Sequence, residues 1–345
     1  MNNNIKTDSM PRNQTLIVVE GKLEKNNILK VLFRCFPELP IRIENIHVYE
    51  NDIYDLYHAI EEEYGELWFE ENMEIDIPFL VSRKFDIVPP LVKRNFTNII
   101  LMFDYERHDN YYSDEKIMKM QKHFANVEDE GLLYINYPMI ESFYHYKTFP
   151  DNEYLSRSIP VMCKPGSVYK NKVQEESCIL EYINLFSRLV DMLKSKIGLS
   201  DQIIEEGASA LLSAETNEEL EKEIEKFTNQ THLSEKNKNN LKFSIRNLLS
   251  RQEYMEKGIS YWEDIRTYIG RIVYDNIIKA DSIQRGGEDT ETTVKEKYYS
   301  IEWANVLEKQ NELSADNVDG IIMVLCTCIT FLGEYKFYWK LRIDS

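Results

Sequence analysis

The chain has no apolar segment long enough to cross a membrane. Its longest clear apolar run, Ile321–Leu332, is far shorter than the roughly 20 residues of a membrane-spanning helix. The first 13 residues are polar and lack the apolar centre of a secretory signal. We therefore expect a cytoplasmic protein with no membrane contact, in which residues 1–13 form a flexible leader.

Cysteine is scarce and irregularly spaced. Of the five cysteines, Cys326 and Cys328 are separated by one residue, and Cys35, Cys163 and Cys178 are scattered. Zinc and redox sites typically use a pair separated by two residues, together with further Cys or His ligands. This pattern instead indicates reduced thiols that are buried as small apolar side chains.

Basic residues are outnumbered by acidic ones, 41 to 59, which gives a formal net charge of −18. Non-specific affinity for nucleic acid comes mostly from Lys and Arg, so this balance argues against a broad phosphate-binding surface. A local basic groove remains compatible with it. Carboxylates that hold a cation would add to the negative total, and an acidic surface also suits a basic protein partner.

The apolar pattern divides the chain into two parts. With 345 residues, 43% of them hydrophobic, the chain can bury a large core. Short apolar strands alternate with amphipathic helices over residues 14–160, which predicts an α/β domain with a mostly parallel sheet. Residues 165–345 predict a mainly α-helical domain, with a projecting hairpin near 213–242. Its expected helices are Glu175–Ile197, Ser200–Leu212, Glu218–Phe227, Ser234–Leu249, Tyr261–Ile278 and Val318–Leu332.

Carboxylates follow two of the apolar strands. Glu20 follows Leu16–Val19, and Asp104 and Glu106 follow Asn98–Phe103. In open α/β sheets, ligands bind at the carboxyl ends of the strands. Three carboxylates at one edge repel each other unless a cation is shared between them. Because oxygen ligands suit Mg²⁺ or Mn²⁺, we expect these three residues to bind one of these metals and to catalyse phosphodiester cleavage.

The two motifs resemble those of the Toprim (topoisomerase–primase) domain. The first runs Val18-Val19-Glu20-Gly21-Lys22-Leu23-Glu24, and the second runs Met102-Phe103-Asp104-Tyr105-Glu106. The resemblance covers about residues 14–145 and implies a Toprim-like, Rossmann-like α/β fold. It also implies that Glu20 is a general acid/base or metal ligand and that Glu24 is the acidic residue that commonly follows. Asp104 and Glu106 would be the metal-holding pair, with Glu106 standing where a second Asp is usual.

The same resemblance suggests a function. The chain lacks the tyrosine domains of a topoisomerase and the zinc-binding segment of a primase. It also has no G-x-x-x-x-G-K-[ST] motif for hydrolysing nucleotides by itself. It is similar to OLD-like Toprim nuclease subunits of bacterial anti-phage defence systems, which work beside an ABC-type ATPase. The expectation is a metal-dependent nuclease acting on DNA or RNA with such a partner, and homo-oligomerisation is left open.

Further residues near these motifs are candidates for the same site. Additional metal ligands would be Glu24, Asp109 and Glu141, and substrate-binding residues would be Lys22, His108, His145 and Lys147. Each also has a structural interpretation. Lys22, His108 and Asp109 could be solvated, Glu141 could start a helix, and His145 and Lys147 could lie on the surface.

Two other functions fit the same sequence. Glu20 could simply favour the positive end of the following helix, and Asp104 and Glu106 could be ordinary loop residues. The chain would then be a non-catalytic interaction subunit that docks a partner through its acidic surface. A phosphotransfer or nucleotide-processing enzyme on a flavodoxin-like sheet is the other alternative.

Overall fold

A computed structural model describes residues 14–161, 167–288 and 290–341. The expected leader, residues 1–13, and Cys163 lie outside the described residues. Within this part of the chain, no helix is both long enough and apolar enough to cross a membrane.

The first part of the chain builds a five-stranded sheet. Its strands are β1 (Gln14–Val19), β2 (Ile46–Val48), β3 (Phe96–Asp104), β4 (Ala125–Asn126) and β5 (Gly131–Asn136). They lie in the order β2-β1-β3-β5-β4, with parallel pairs except for the antiparallel edge strand β4. Every residue of β1 is buried, as expected for a strand covered on both faces. The predicted mostly parallel α/β sheet is thus confirmed.

Helices connect and cover these strands. A π-helical turn, Glu24–Leu29, leads into α1 (Lys30–Cys35), and α2 (Ile53–Tyr64), α3 (Ile77–Lys84) and α4 (Asp114–His123) follow. The Asp52 carboxylate caps α2 by accepting hydrogen bonds from the backbone N–H groups of Tyr54 and Asp55. The helix ends at Gly65, which has a φ of 87°, a backbone angle that glycine adopts without steric cost.

The second part is mainly helical, as predicted. Its helices are α5 (Ser167–Glu176), α6 (Leu180–Ile183), α7 (Leu185–Lys194), α8 (Asp201–Leu212), α9 (Asn217–Asn229), α10 (Glu235–Leu249), α11 (Glu253–Lys257), α12 (Tyr261–Gln284), α13 (Val294–Ser300) and α14 (Trp303–Ser314). The single helix expected over Glu175–Ile197 is wrong. Ser177 interrupts it, because its hydroxyl accepts hydrogen bonds from the N–H groups of Ile179 and Leu180 and starts a new helix.

The predicted helix Val318–Leu332 is also wrong. The segment contains β7 (Ile321–Met323), which pairs antiparallel with β6 (Ser158–Pro160), and a 3₁₀ helix from Cys328 to Glu334. A short apolar run has the same appearance in a buried strand and in a buried helix, so periodicity could not separate the two. As a result, the segment that contains β7 returns to the sheet domain instead of adding a helix to the second part.

The helix pair α9–α10 occupies the stretch expected to form a hairpin. Arg246 of α10 forms a two-bond ion pair with Glu221 of α9, and Lys242 binds Glu225. These pairings run in opposite directions along the two helices, so the helices are antiparallel.

Apolar side chains from both parts form one buried cluster. Polar anchors reinforce it, since the buried Lys279 of α12 donates to the carbonyl oxygens of Tyr154 and Arg157 at 2.6 and 2.7 Å. The aromatic residues within and after β5 are core residues. The buried set is Tyr134, Tyr137, Phe143, Tyr144 and Tyr146.

Candidate metal centre at the sheet edge

The register of β1 and β3 brings the predicted carboxylates together. Val19 lies opposite Met102, and the N–H of Glu20 donates to the carbonyl oxygen of Met102 at 3.0 Å. The Glu20 side chain turns back across the strand ends, where Oε2 accepts a hydrogen bond from the N–H of Asp104 at 2.9 Å. One ligand atom from each of Glu20, Asp104 and Glu106 lies within 4.8 Å of the others.

Tyr105 fixes the loop that carries the second and third carboxylates. It is fully buried, and its hydroxyl donates to Asn311 Oδ1 at 2.6 Å and lies 3.0 Å from Ser314 Oγ. Both partners belong to α14. Glu106 follows with a φ of 41°, an uncommon value for a residue other than glycine. The backbone at Glu106 therefore leaves the strand direction, and Tyr105 anchors that turn to the helical part.

These carboxylates line a cavity of about 580 Å³ at the carboxyl edge of the sheet. The predicted residues in its lining are Glu20, Lys22, Glu24, Asp104, Glu106, His108, Asp109 and Glu141. Lys22 is largely exposed, and its ammonium group pairs with Glu50 at 3.2 Å. Asp109 accepts a hydrogen bond from the N–H of Tyr111 at 2.6 Å.

Glu24 and Glu141 supply two further carboxylates, both more than nine-tenths buried. Glu24 begins the π-helical turn and faces Gly21, where an added Cβ would lie 3.1 Å from Glu24 Oε2. The glycine of the Glu-Gly motif therefore leaves space for this carboxylate. Glu141 Oε1 pairs with Lys170 Nζ at 3.3 Å, whereas Oε2 is buried without a hydrogen-bond partner among the described residues.

In the absence of a cation, burial and mutual repulsion disfavour the charged form of these carboxylates. Burial, and secondarily the neighbouring Glu20, raise the pKa of Asp104 well above its usual value. Burial likewise raises the pKa of Glu20 strongly and that of Glu24 to about 7. The pKa of Glu106 is raised by burial and by Asp52. A cation among them would offset both effects.

Two predicted substrate-binding residues do not line this cavity. His145 is buried, with its ring nitrogens 3.1 Å from the Tyr169 hydroxyl and 3.0 Å from Glu176. Lys147 pairs with the same Glu176 carboxylate at 3.1 Å. Both residues therefore attach α5 to the sheet domain.

Lys170 lines the cavity although the sequence analysis did not single it out. It lies on α5, and although burial lowers its pKa, the Glu141 carboxylate raises it to a net value above the usual one. Nothing in its local sequence distinguishes it from Lys172, two residues later, which pairs with Glu176. Only the docking of α5 against the strand ends could identify it.

A second missed residue is Asn136, the last residue of β5. Its side-chain amide lies 3.4 Å from Asp104 Oδ1, and its Oδ1 accepts from the N–H of Cys328 at 3.2 Å. The returning C-terminal segment thus supports Asp104 through one side chain. The thiols of Cys326 and Cys328 are buried 3.5 Å apart beside it.

Comparisons with known proteins add no relative to this description. No protein-family model, no curated protein and no solved structure matches the chain.

Proposed function

We propose that the protein is a metal-dependent nuclease with a Toprim-like N-terminal domain. One observation carries the proposal: three carboxylates from the ends of two adjacent parallel strands converge within 4.8 Å. This is the position at which open α/β sheets bind ligands. The Glu-Gly and Asp-x-Glu motifs that resemble those of Toprim domains supply these same residues.

The residues at the site fit a hard divalent cation. All six carboxylates in the lining offer oxygen ligands, as Mg²⁺ and Mn²⁺ prefer, and the buried Glu141 Oε2 lacks a partner among the described residues. Glu20, Asp104 and Glu106 would hold the ion, with Glu24 and Glu141 beside them. When bound, such an ion activates water and stabilises charge on phosphate oxygens.

The protein's own groups have separate tasks in this proposal. The Asp104 N–H holds Glu20 in place, which orients its carboxylate towards the cavity. Glu20, whose pKa is raised by burial, accepts a proton from the attacking water or returns one to the leaving oxygen. Lys170 carries a positive charge into a mainly acidic cavity and binds a non-bridging phosphate oxygen.

The proposal extends to the setting that the resemblance implies. The nuclease would act in anti-phage defence beside an ABC-type ATPase, on DNA or RNA. The net charge of −18 supports docking onto a basic surface of such a partner. Co-expression with a candidate ATPase, followed by size-exclusion chromatography, tests this association. Separate elution of the two proteins at micromolar concentration would contradict it.

The catalytic proposal is tested with the purified full chain and fluorescent DNA and RNA substrates. We expect cleavage in Mg²⁺ or Mn²⁺ and none in excess EDTA. Glu20→Gln and Asp104→Asn should each abolish cleavage, while the matched control Glu71→Gln, at an exposed position, should retain it. Circular dichroism verifies the fold of each variant. Full cleavage by both site variants, or in excess EDTA, would refute the metal-site assignment.

A further inference from the structure

A second cavity, of about 350 Å³, lies beside the metal centre. It is enclosed by the end of β2, by one face of α2 and by the last turn of α3. The polar groups that face it are Tyr49, Asn51, Asp55, His58, Glu62, Arg83 and Lys84, and the Asn51 amide donates a hydrogen bond to the Asp55 carboxylate. The proposed catalytic function uses none of these residues.

The two cavities open along the same edge of the sheet. The N–H of Tyr49 donates to the carbonyl oxygen of Val19 at 2.7 Å, and the N–H of Glu50 donates to that of Glu20 at 2.9 Å. Neighbouring strands lie about 4.8 Å apart, so the second cavity begins one strand away from Glu20. A polymer whose phosphodiester lies at the carboxylates can therefore place its next residue in this cavity.

Two adjacent cations face the second cavity, in a chain whose charge is strongly negative. Lys84 Nζ lies 3.5 Å from the centroid of the Tyr49 ring. Arg83 is more than half exposed and pairs with Glu63, which does not line the cavity. A phosphate can therefore reach both cations from the solvent side, and Arg and Lys are the residues that bind phosphate best.

The opposite wall offers a different chemistry. Glu62 of α2 presents a carboxylate, and Asp55 presents the carboxylate oxygen that Asn51 does not bind; both can accept hydrogen bonds from the N–H groups of nucleobases. His58 also lines this wall, and its Nδ1 lies 3.1 Å from Glu61 Oε2. Ala59 and Leu80 add apolar surface to the cavity. The cations on one side match the phosphate of one nucleotide. The acceptors on the other side match the hydrogen-bonding edge of its base, and the apolar surface between them matches the face of the base.

We infer that this cavity binds an unpaired nucleotide of the substrate, next to the phosphodiester that is cleaved. The inference rests on the proposed nuclease function and specifies its substrate as single-stranded in this region. A base that is stacked and paired in a duplex cannot enter this cavity of about 350 Å³ between α2 and α3, because its neighbours and its partner base hold it inside the double helix. The cavity therefore selects a nucleotide whose base is free.

The experiment measures binding separately from cleavage. Fluorescence anisotropy follows a labelled single-stranded oligonucleotide with the full chain in EDTA, in a Glu20→Gln background that removes one repelling charge. The double variant Arg83→Ala/Lys84→Ala should raise Kd about tenfold, and each lost phosphate contact should reduce the salt slope by about 0.7. The matched control Lys119→Ala/Lys122→Ala removes the same charge from α4 and should leave Kd within twofold.

Further arms identify the ligand. A duplex of the same sequence should bind at least tenfold more weakly than the single strand. Equal loss of binding in the two double variants, equal affinity for the duplex, or no oligonucleotide binding would overturn the inference. Binding of free nucleoside monophosphate without binding of the oligonucleotide would also overturn it and assign the cavity to a free nucleotide. Normal oligonucleotide binding, together with no cleavage by the unmutated chain in Mg²⁺ or Mn²⁺, would contradict the nuclease proposal alone.

Discussion

Glu20 Oε2 and the backbone N–H of Asp104 form a hydrogen bond of 2.9 Å that joins the two acidic motifs across 84 positions of the chain. The bond holds the Glu20 carboxylate against a second buried carboxylate, that of Asp104. The hydrogen bond favours the charged form of Glu20, and burial opposes it more strongly, so the pKa of Glu20 is raised overall. The folded protein therefore maintains an arrangement that is electrostatically unfavourable without a cation.

Two substitutions of Glu20 should separate its charge from its hydrogen bond. The amide oxygen of Glu20→Gln can still accept from the Asp104 N–H, so this variant should be as stable as the parent in EDTA or more stable, by up to about 1 kcal/mol. Glu20→Ala leaves that N–H without its acceptor and should cost about 1–3 kcal/mol. Urea denaturation measures both free energies of unfolding. If Glu20→Gln is less stable than Glu20→Ala, the hydrogen bond to the Asp104 N–H does not stabilise the folded protein.

Stability without metal should fall as pH rises. The pKa of Glu24 is about 7 in the folded protein, above the roughly 4.3 of a glutamate in an unfolded chain. Between these values the folded state binds more protons than the unfolded state, so the free energy of unfolding decreases with rising pH. The raised pKa values of Glu20 and Asp104 act in the same direction.

Added Mg²⁺ should counteract the loss of stability at high pH. Because the ion binds ionised carboxylates, the increase in Tm that it causes should be larger at about pH 8 than at about pH 5.5. Differential scanning fluorimetry over this range, with Mg²⁺ or EDTA, measures the effect. Glu24→Gln should flatten the pH dependence in EDTA. A Tm increment that is the same at both pH values would argue against binding by these carboxylates.

Lys170 should contribute to turnover and little to folding. Lys170→Met should lower kcat by on the order of 100-fold, the scale observed when one group that stabilises transition-state charge is removed. Lys170→Arg should restore part of this loss, since it keeps the positive charge. Lys172→Met is the matched control on the same helix, because Lys172 pairs with Glu176 and does not line the cavity. Equal effects of the two Met variants would indicate that α5 has simply been loosened.

The sequence could predict the sheet and its acidic edge because both depend on local patterns. Apolar strands buried on both faces read as continuous hydrophobic runs, and a carboxylate directly after such a strand must lie at the strand's end. Once β1 and β3 were neighbours, Glu20 and Asp104 had to approach each other. No long-range information beyond strand order was required.

The remaining groups depend on contacts between distant parts of the chain. Lys170 enters the cavity only because His145 and Lys147 hold α5 through Glu176. Asn136 lies opposite Asp104 through the register of β3 and β5, but its side chain is held there by the segment after β7, which supplies the Cys328 N–H. That segment was predicted as a helix, so its contribution to the site could not be seen before the fold was known.

Tyr105 provides the sharpest test of this long-range support. Its hydroxyl contacts Asn311 and Ser314 of α14, while its backbone connects Asp104 to Glu106. The same hydroxyl lies 3.1 Å from that of Tyr112. Tyr105→Phe keeps the ring and removes all of these contacts. Because Asn311 and Ser314 keep other hydrogen bonds, the loss should cost about 0.5–1.5 kcal/mol of stability.

The site should respond as well, because the carboxylates on either side of residue 105 lose a fixed anchor. Mg²⁺ affinity, measured by calorimetry under conditions where Tyr105→Phe remains fully folded, should fall about 10-fold, the lower end of the range seen for groups that orient metal ligands. Tyr299→Phe, at a ring that is 60% exposed, is the control and should change neither quantity. If Tyr105→Phe loses stability but binds Mg²⁺ normally, α14 stabilises the fold without positioning the metal ligands.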